Sequence, residues 1–172
     1  TVLLVVTFVL GFQIDDPRVP DLEVQEGVQS HFLTALGALC FATLVHAMVL
    51  TYFMGTGRWL EETSRAYRLE PRFHSESQGI KYRVVPAMVG AFLLLLATGA
   101  FGAAADPASP IQFSGWLGLS PALWHRLLAM TTLAVNVAVH YAEYVGLFRN
   151  GQIIDNVMAE VRRIRLEKGL AV

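Results

Sequence analysis

The sequence predicts an all-α, polytopic membrane protein: a four-transmembrane-helix bundle followed by a C-terminal amphipathic cytoplasmic helix. Three observations carry this expectation. The 172-residue chain is 54% apolar and only 16% charged, where a soluble domain carries about 25% charged residues. Its apolar residues gather into runs approaching the ~20 residues needed to cross a bilayer. Its charges collect between those runs. The formal charge of -1 is therefore less informative than its distribution. The one cysteine, Cys40, lies inside an apolar run, so neither an intrachain disulfide nor a cysteine-based zinc site can form.

In order, Thr1 to Phe12 is too short to span alone and reads as the end of a first transmembrane helix whose earlier residues precede Thr1. Residues 13–30 carry five acids against Arg18, with Pro17 and Pro20 marking an irregular segment. Asp21 is a candidate N-cap for helix two, expected over 22–54 and closed by Gly55 and Gly57. Trp59 to Leu69 can extend it beyond the membrane. A long basic loop follows, with Arg58, Arg65, Arg68, Arg72, Lys81 and Arg83. Helix three is expected over 84–104, with Pro86 in its first turn. After a nearly uncharged loop, Ser120-Pro121 has the N-cap-plus-proline form of a helix start. Helix four is expected over 121–148 and stopped by Asn150-Gly151. Apolar positions 153, 154, 157, 158, 161 and 164 then mark 152–168 as an amphipathic helix on the membrane or on a partner.

Basic residues set the orientation. Six follow helix two and five lie in the tail (Arg149, Arg162, Arg163, Arg165, Lys168), against one in the two opposite loops. The positive-inside rule then places both termini in the cytoplasm of what reads as a bacterial inner membrane.

The chemistry rests on four histidines. His31 and His46 lie fifteen residues apart on helix two, and His125 and His140 are fifteen apart on helix four. Fifteen residues rise about 22 Å and turn about 60° past whole turns, so both rings of a helix face broadly the same side. An offset of 94 residues superposes both pairs and also matches Leu33, Ala35, Leu39, Val45 and Gly57 with Leu127, Ala129, Leu133, Val139 and Gly151. Helices two and four are two crossings apart and so run parallel. His31 can face His125 toward the outer side, and His46 can face His140 toward the inner side. Two imidazoles on opposite faces of a haem plane satisfy a six-coordinate iron. The residues between are small: Ala35, Ala38 and Ala42 on one face, Ala129, Thr132 and Asn136 on the other. Bulky side chains there would occupy the volume of a flat macrocycle.

This arrangement resembles the di-haem core of the cytochrome b family, in which two parallel helices of a four-helix bundle each carry two histidines about fourteen residues apart. The spacing of fifteen here is a departure that alters the relative haem orientation, and no quinone-site signature of that family is present. The resemblance implies two non-covalent b-type haems with bis-histidine ligation. Arg126 is a candidate donor to the outer haem's propionates. Glu143, three residues after His140, with Tyr141 or Tyr144, forms a candidate quinone or proton site. His74 reads as a surface residue in the basic loop.

Nothing in the chain binds flavin, nicotinamide or an iron–sulfur cluster, and no Cys-x-x-Cys-His motif for covalent haem occurs. The expectation is an electron-transfer subunit of a larger membrane oxidoreductase complex. Its partners would be the lipid bilayer, other subunits and a quinone, and not nucleic acid. Two rivals stand beside it: a pigment- or metal-binding membrane subunit, and a cofactor-free scaffold. A pigment needs a single axial ligand, so matched histidine pairs favour haem.

Overall fold

The computed structural model describes residues 1–111 and 113–171, and among them every regular element is helical. These are α1 (Val2–Phe12), α2 (Leu22–Tyr67), α3 (Arg72–Ala105) and α4 (Pro121–Glu167). Three of them, α2, α3 and α4, are long and apolar enough to cross a membrane, whereas α1 has 11 residues. In their most apolar stretches only 22%, 22% and 17% of residues are buried. Exposed side chains such as Phe32, Leu36, Phe41 and Met48 on α2 would form a large apolar surface in water, and lipid is the solvent that matches it.

The helices are longer than the sequence suggests. At 46 and 47 residues, α2 and α4 are each about 70 Å long, roughly twice the ~30 Å hydrocarbon core. Gly55 and Gly57 do not close α2. Beyond them the helix is supported by i,i+4 pairs, Arg58 with Glu62 at 2.8 Å and Arg65 with Glu61 at 2.9 Å. It ends at Arg68, whose φ is 52°, with the Leu69 N–H donating to the Ser64 carbonyl at 2.9 Å. That is a Schellman stop with arginine in the left-handed position usually given to glycine. The expected basic loop up to Arg83 is reduced to residues 68–71, because α3 begins at Arg72. Pro86 consequently lies inside α3 rather than in its first turn; a span tolerates it where neighbours re-satisfy the freed carbonyl.

The expected separate tail helix is also corrected. Asn150 and Gly151 are helical, and α4 continues to a second Schellman stop at Gly169 (φ 64°), where the Leu170 N–H meets the Arg165 carbonyl at 2.9 Å. Near that end Arg163 pairs with Glu160 and with Glu167, and the guanidinium holds the Glu160 carboxyl below its ordinary range.

The chain forms two compact units. The first comprises residues 1–45 and 89–140. Here Asp21 does cap α2, its Oδ1 accepting from the Glu23 N–H at 2.9 Å. Ser120 opens α4, its Oγ accepting from Leu123 N–H at 3.3 Å. Ahead of α4, Trp116 and Leu119 exchange both backbone hydrogen bonds around Leu117 and Gly118, both at positive φ. Trp116 stacks on Trp124, whose indole N–H donates to the Trp116 carbonyl at 2.9 Å. The unit's buried side chains are mostly small or polar: Ala38, Ala42, Ala91, Thr132 and Asn136.

The second unit comprises residues 46–88 and 141–172. Its core is Leu60, Phe73, Ile153 and Val157, packed by Trp59, Ile154 and Val161 among others. The apolar stripe of the expected tail helix thus packs against α2 and α3 of its own chain. Where α4 passes these helices, Gly146 allows close approach: a Cβ there would sit 3.0 Å from Val84 and 3.2 Å from Phe53. Fully buried Asn150 ties the three helices together. Its Oδ1 accepts from Ser77 Oγ at 2.6 Å, and its Nδ2 donates to Thr56 Oγ1 at 3.0 Å and Tyr52 OH at 3.2 Å.

Candidate functional site

In the first unit, His31 of α2 and His125 of α4 are brought together. Their ring centres are 6.1 Å apart and their planes stand at 77°. Each ring is held from behind in the same way. His31 Nδ1 lies 3.0 Å from the Thr7 carbonyl of α1, and His125 Nδ1 lies 3.0 Å from the Thr98 carbonyl of α3. A carbonyl only accepts, so both Nδ1 atoms carry a proton, and in the neutral ring Nε2 is then the nitrogen whose lone pair can bind a metal.

A glycine sits one turn after each of these threonines. A Cβ on Gly11 would lie 2.6 Å from His31 Cε1, and one on Gly102 would lie 3.0 Å from His125 Cε1. The rings occupy notches in α1 and α3 that any larger residue would fill. From there each reaches a helical carbonyl that already serves its own helix but retains a second lone pair. The repeated Thr-x-x-x-Gly element escaped the sequence reading. Its signal was present at 7–11 and 98–102, at an offset of 91 rather than 94.

The small residues of α2 and α4 are buried or half-buried. Ala38 and Ala42 are buried and Ala35 is half-buried; Ala129 is half-buried and Thr132 and Asn136 are buried. Thr132 is committed to α3, its Oγ1 lying 2.6 Å from Thr98 Oγ1 and donating to the Leu94 carbonyl at 3.3 Å. Asn136 Nδ2 donates within its own helix, to the Thr132 carbonyl at 2.9 Å, leaving its buried Oδ1 without a hydrogen bond. Arg126 donates to the Ile14 carbonyl at 3.1 Å and lies 5.7 Å over the Phe12 ring, so it clamps the end of α1 beside His125. His140 Nδ1 is 3.0 Å from Thr1 Oγ1.

In the second unit, His46 is buried and its Nδ1 lies 2.5 Å from Glu143 Oε1, with the two side chains 7% and 4% exposed. Glu143 was expected beside Tyr141 or Tyr144. Both tyrosines are instead exposed, at 69% and 67%, on other faces of α4, so the structure does not assemble them with the acid. His74 is part of α3 and half-buried rather than a loop residue. Cys40 is exposed on the apolar surface of α2.

No protein family model, curated protein or solved structure matches this chain. The chemistry must therefore be read from the residues. An imidazole nitrogen sits ~2 Å from a first-row metal. With the ring centre ~1.2 Å behind that nitrogen, two imidazoles on one metal have centres roughly 6.4 Å apart. The 6.1 Å between His31 and His125 agrees with this value. The held Nδ1 protons supply the outer hydrogen bonds that metal-ligating histidines almost always make. The His31–His125 pair fits the spacing of two imidazoles on one metal.

Proposed function

We propose that the chain is a di-haem b-type membrane cytochrome that carries electrons across the bilayer as a subunit of a larger redox complex. The observation that carries this reading is the His31–His125 pair: matched ring separation, two Nδ1 atoms fixed by backbone carbonyls, and two Nε2 lone pairs left for iron. Support for a second pair is in the sequence alone, where His46 and His140 follow His31 and His125 at the same spacing of fifteen. Bound haem would provide a one-electron couple. The chain's part is to ligate it, fix the ring orientations and exclude water.

In this reading α1 packs as the fourth helix of the membrane bundle and both termini are cytoplasmic. Arg126 would serve the outer propionates by exchanging or sharing its hold on the Ile14 carbonyl. Two filled axial positions favour electron transfer over oxygen chemistry, which needs an open site. A quinone at Glu143 has less support, since neither tyrosine accompanies the acid.

The test is a dithionite-reduced minus oxidised spectrum with pyridine haemochrome quantification. The expected result is a sharp b-type α-band and about two haems per chain, with one lost in His125→Ala and one in His46→Ala. Protein that purifies from haem-replete cells without a haem signal overturns the reading. A different metal or chromophore would then favour the pigment or metal rival, and none would favour the scaffold.

A further inference from the structure

We infer that the turn Trp116–Leu119 is a lipid-binding tip: the Trp116 indole and the Leu117 side chain enter the headgroup–acyl boundary of the bilayer that α3 and α4 cross. The inference rests on the membrane placement of those helices and not on the haem reading. It starts from a backbone that is costly to make. Trp116 and Leu119 exchange both backbone hydrogen bonds, at 3.2 and 3.0 Å, around Leu117 at φ 53° and Gly118 at φ 76°. Two positive φ values in a two-residue loop select Asn-Gly, Asp-Gly or Gly-Gly, because a Cβ crowds the following carbonyl there. Leucine at the first position strains the backbone, and its side chain is 72% exposed. In water both features cost free energy.

The tip is a built projection. At Gly115 (φ 100°) the chain folds back so tightly that a Cβ would lie 2.1 Å from the Leu119 carbonyl oxygen. The Trp116 carbonyl also accepts the Trp124 indole N–H at 2.9 Å, and the two indoles stack with centres 5.7 Å apart. Phe101 of α3 meets both Phe113 and Trp124, at 5.7 and 6.0 Å, which seats the loop on the ends of both helices. Past that seat Trp116 is still 61% exposed. Its surroundings say what covers it. No charged residue lies between Asp106 and His125, whereas the other connection of this unit, 13–21, holds Asp15, Asp16, Arg18 and Asp21. Exposed Leu123 and Leu127 continue the apolar surface from the turn along α4. Tryptophan concentrates where headgroups meet acyl chains, and a leucine placed there leaves water. Trp124 immediately precedes His125, so the tip holds the helix end that carries that ring.

The full chain in phosphatidylcholine vesicles tests this. In a Cys40→Ala background a nitroxide is attached at Leu117→Cys, with Val19→Cys and Ser109→Cys as solvent references. Relative to those references, the nitroxide at 117 should favour collision with oxygen over a water-soluble nickel chelate several-fold. Trp59→Phe protein, which carries no label, reports Trp116 and Trp124 by fluorescence. Lipid brominated at shallow acyl carbons should quench it, and aqueous iodide should not. Adding Leu117→Asn should keep the turn, since asparagine tolerates positive φ, and should raise iodide quenching several-fold.

A nitroxide at 117 as open to the nickel chelate as those at 19 and 109 overturns the inference. So does a Trp59→Phe protein quenched by iodide rather than by brominated lipid, or iodide quenching that Leu117→Asn leaves unchanged. Shielding of position 117 from oxygen and nickel alike also overturns it, and assigns the tip to a protein contact instead. If the Leu117 variants do not fold, the Trp59→Phe protein alone decides. None of these outcomes bears on haem content, so the inference and the di-haem reading fail separately.

Discussion

At Gly11 and Gly102 a hydrogen atom occupies the place where any other residue would press a methyl group against an imidazole. The two positions are not equivalent. A Cβ at Gly11 would come within 2.6 Å of the His31 ring, closer than real contacts allow, while one at Gly102 would stop at 3.0 Å from His125. A ring cannot fold away as a lysine tip can, so it must be displaced, and its hydrogen bond to Thr7 or Thr98 goes with it. Overpacking of this kind costs about 1–3 kcal/mol. Gly11→Ala should therefore lower the thermal midpoint and, in the proposed cytochrome, remove much of one haem, and Gly102→Ala should do the same more weakly. Thermal unfolding in detergent, with haem per chain measured alongside, checks the order; equal stability of both variants with wild type would refute the notch. His31 and His125 were legible in the sequence because two equal spacings on apolar helices are hard to produce by chance. The groups that hold them were not. Their acceptors are backbone carbonyls, which every residue possesses, so only the glycines one turn later leave a mark. Glu143 was legible as an isolated acid in an apolar helix, but its partner His46 was not, since the two are 97 positions apart.

Among the elements, the apolar cores of α2, α3 and α4 were legible and their ends were not. Past the bilayer a helix is polar on its outer face, so a window scanning for apolar runs reads it as loop. The informative signals were local: the Arg58–Glu62 and Arg65–Glu61 spacings, and apolar positions 153, 157 and 161, which continue the helical period. Asn150-Gly151 looked like a stop because both residues are poor helix formers. Asn150 overrides that preference by being buried and fully engaged. It bonds Ser77 of α3 and both Tyr52 and Thr56 of α2, so one side chain on α4 organises two neighbours. Removing it strands the Ser77 hydroxyl, only 1% exposed, and an unmet buried group costs about 1–3 kcal/mol. Asn150→Ala should destabilise by about that amount. Adding Ser77→Ala should recover part of the loss, because deleting both partners leaves less unsatisfied than deleting one. Denaturant titration of the four members of this cycle in micelles gives the coupling. Strict additivity would mean that the Ser77–Asn150 bond contributes nothing beyond its two residues.

For the whole molecule, the consequential quantity is where the positive charges fall along the chain. Eleven of the thirteen basic residues lie in two stretches, Arg58–Arg83 and Arg149–Lys168. The connections at 13–21 and 106–120 hold Arg18 alone. Because α2 runs to Tyr67 and α3 starts at Arg72, the first basic stretch is helical projection rather than loop. The charge rule is unaffected, since it counts lysine and arginine within 15–20 residues of the membrane ends whatever their local structure. Moving these residues across a bilayer is costly, about 2.5–3.5 kcal/mol each at its centre on insertion scales, so the clustered ends should stay cytoplasmic. The expectation is tested on single cysteines placed in a Cys40→Ala background, with an impermeant maleimide on intact spheroplasts. Val19→Cys and Ser109→Cys should label from outside. Glu70→Cys and Leu170→Cys should label only after permeabilisation. The reverse pattern would invert the molecule, placing the His46–Glu143 pair toward the outer face. Labelling of Glu70→Cys and Ser109→Cys from the same side would break the antiparallel crossing of α3. It would also remove the parallel relation of α2 and α4, on which the pairing of equally spaced histidines depends.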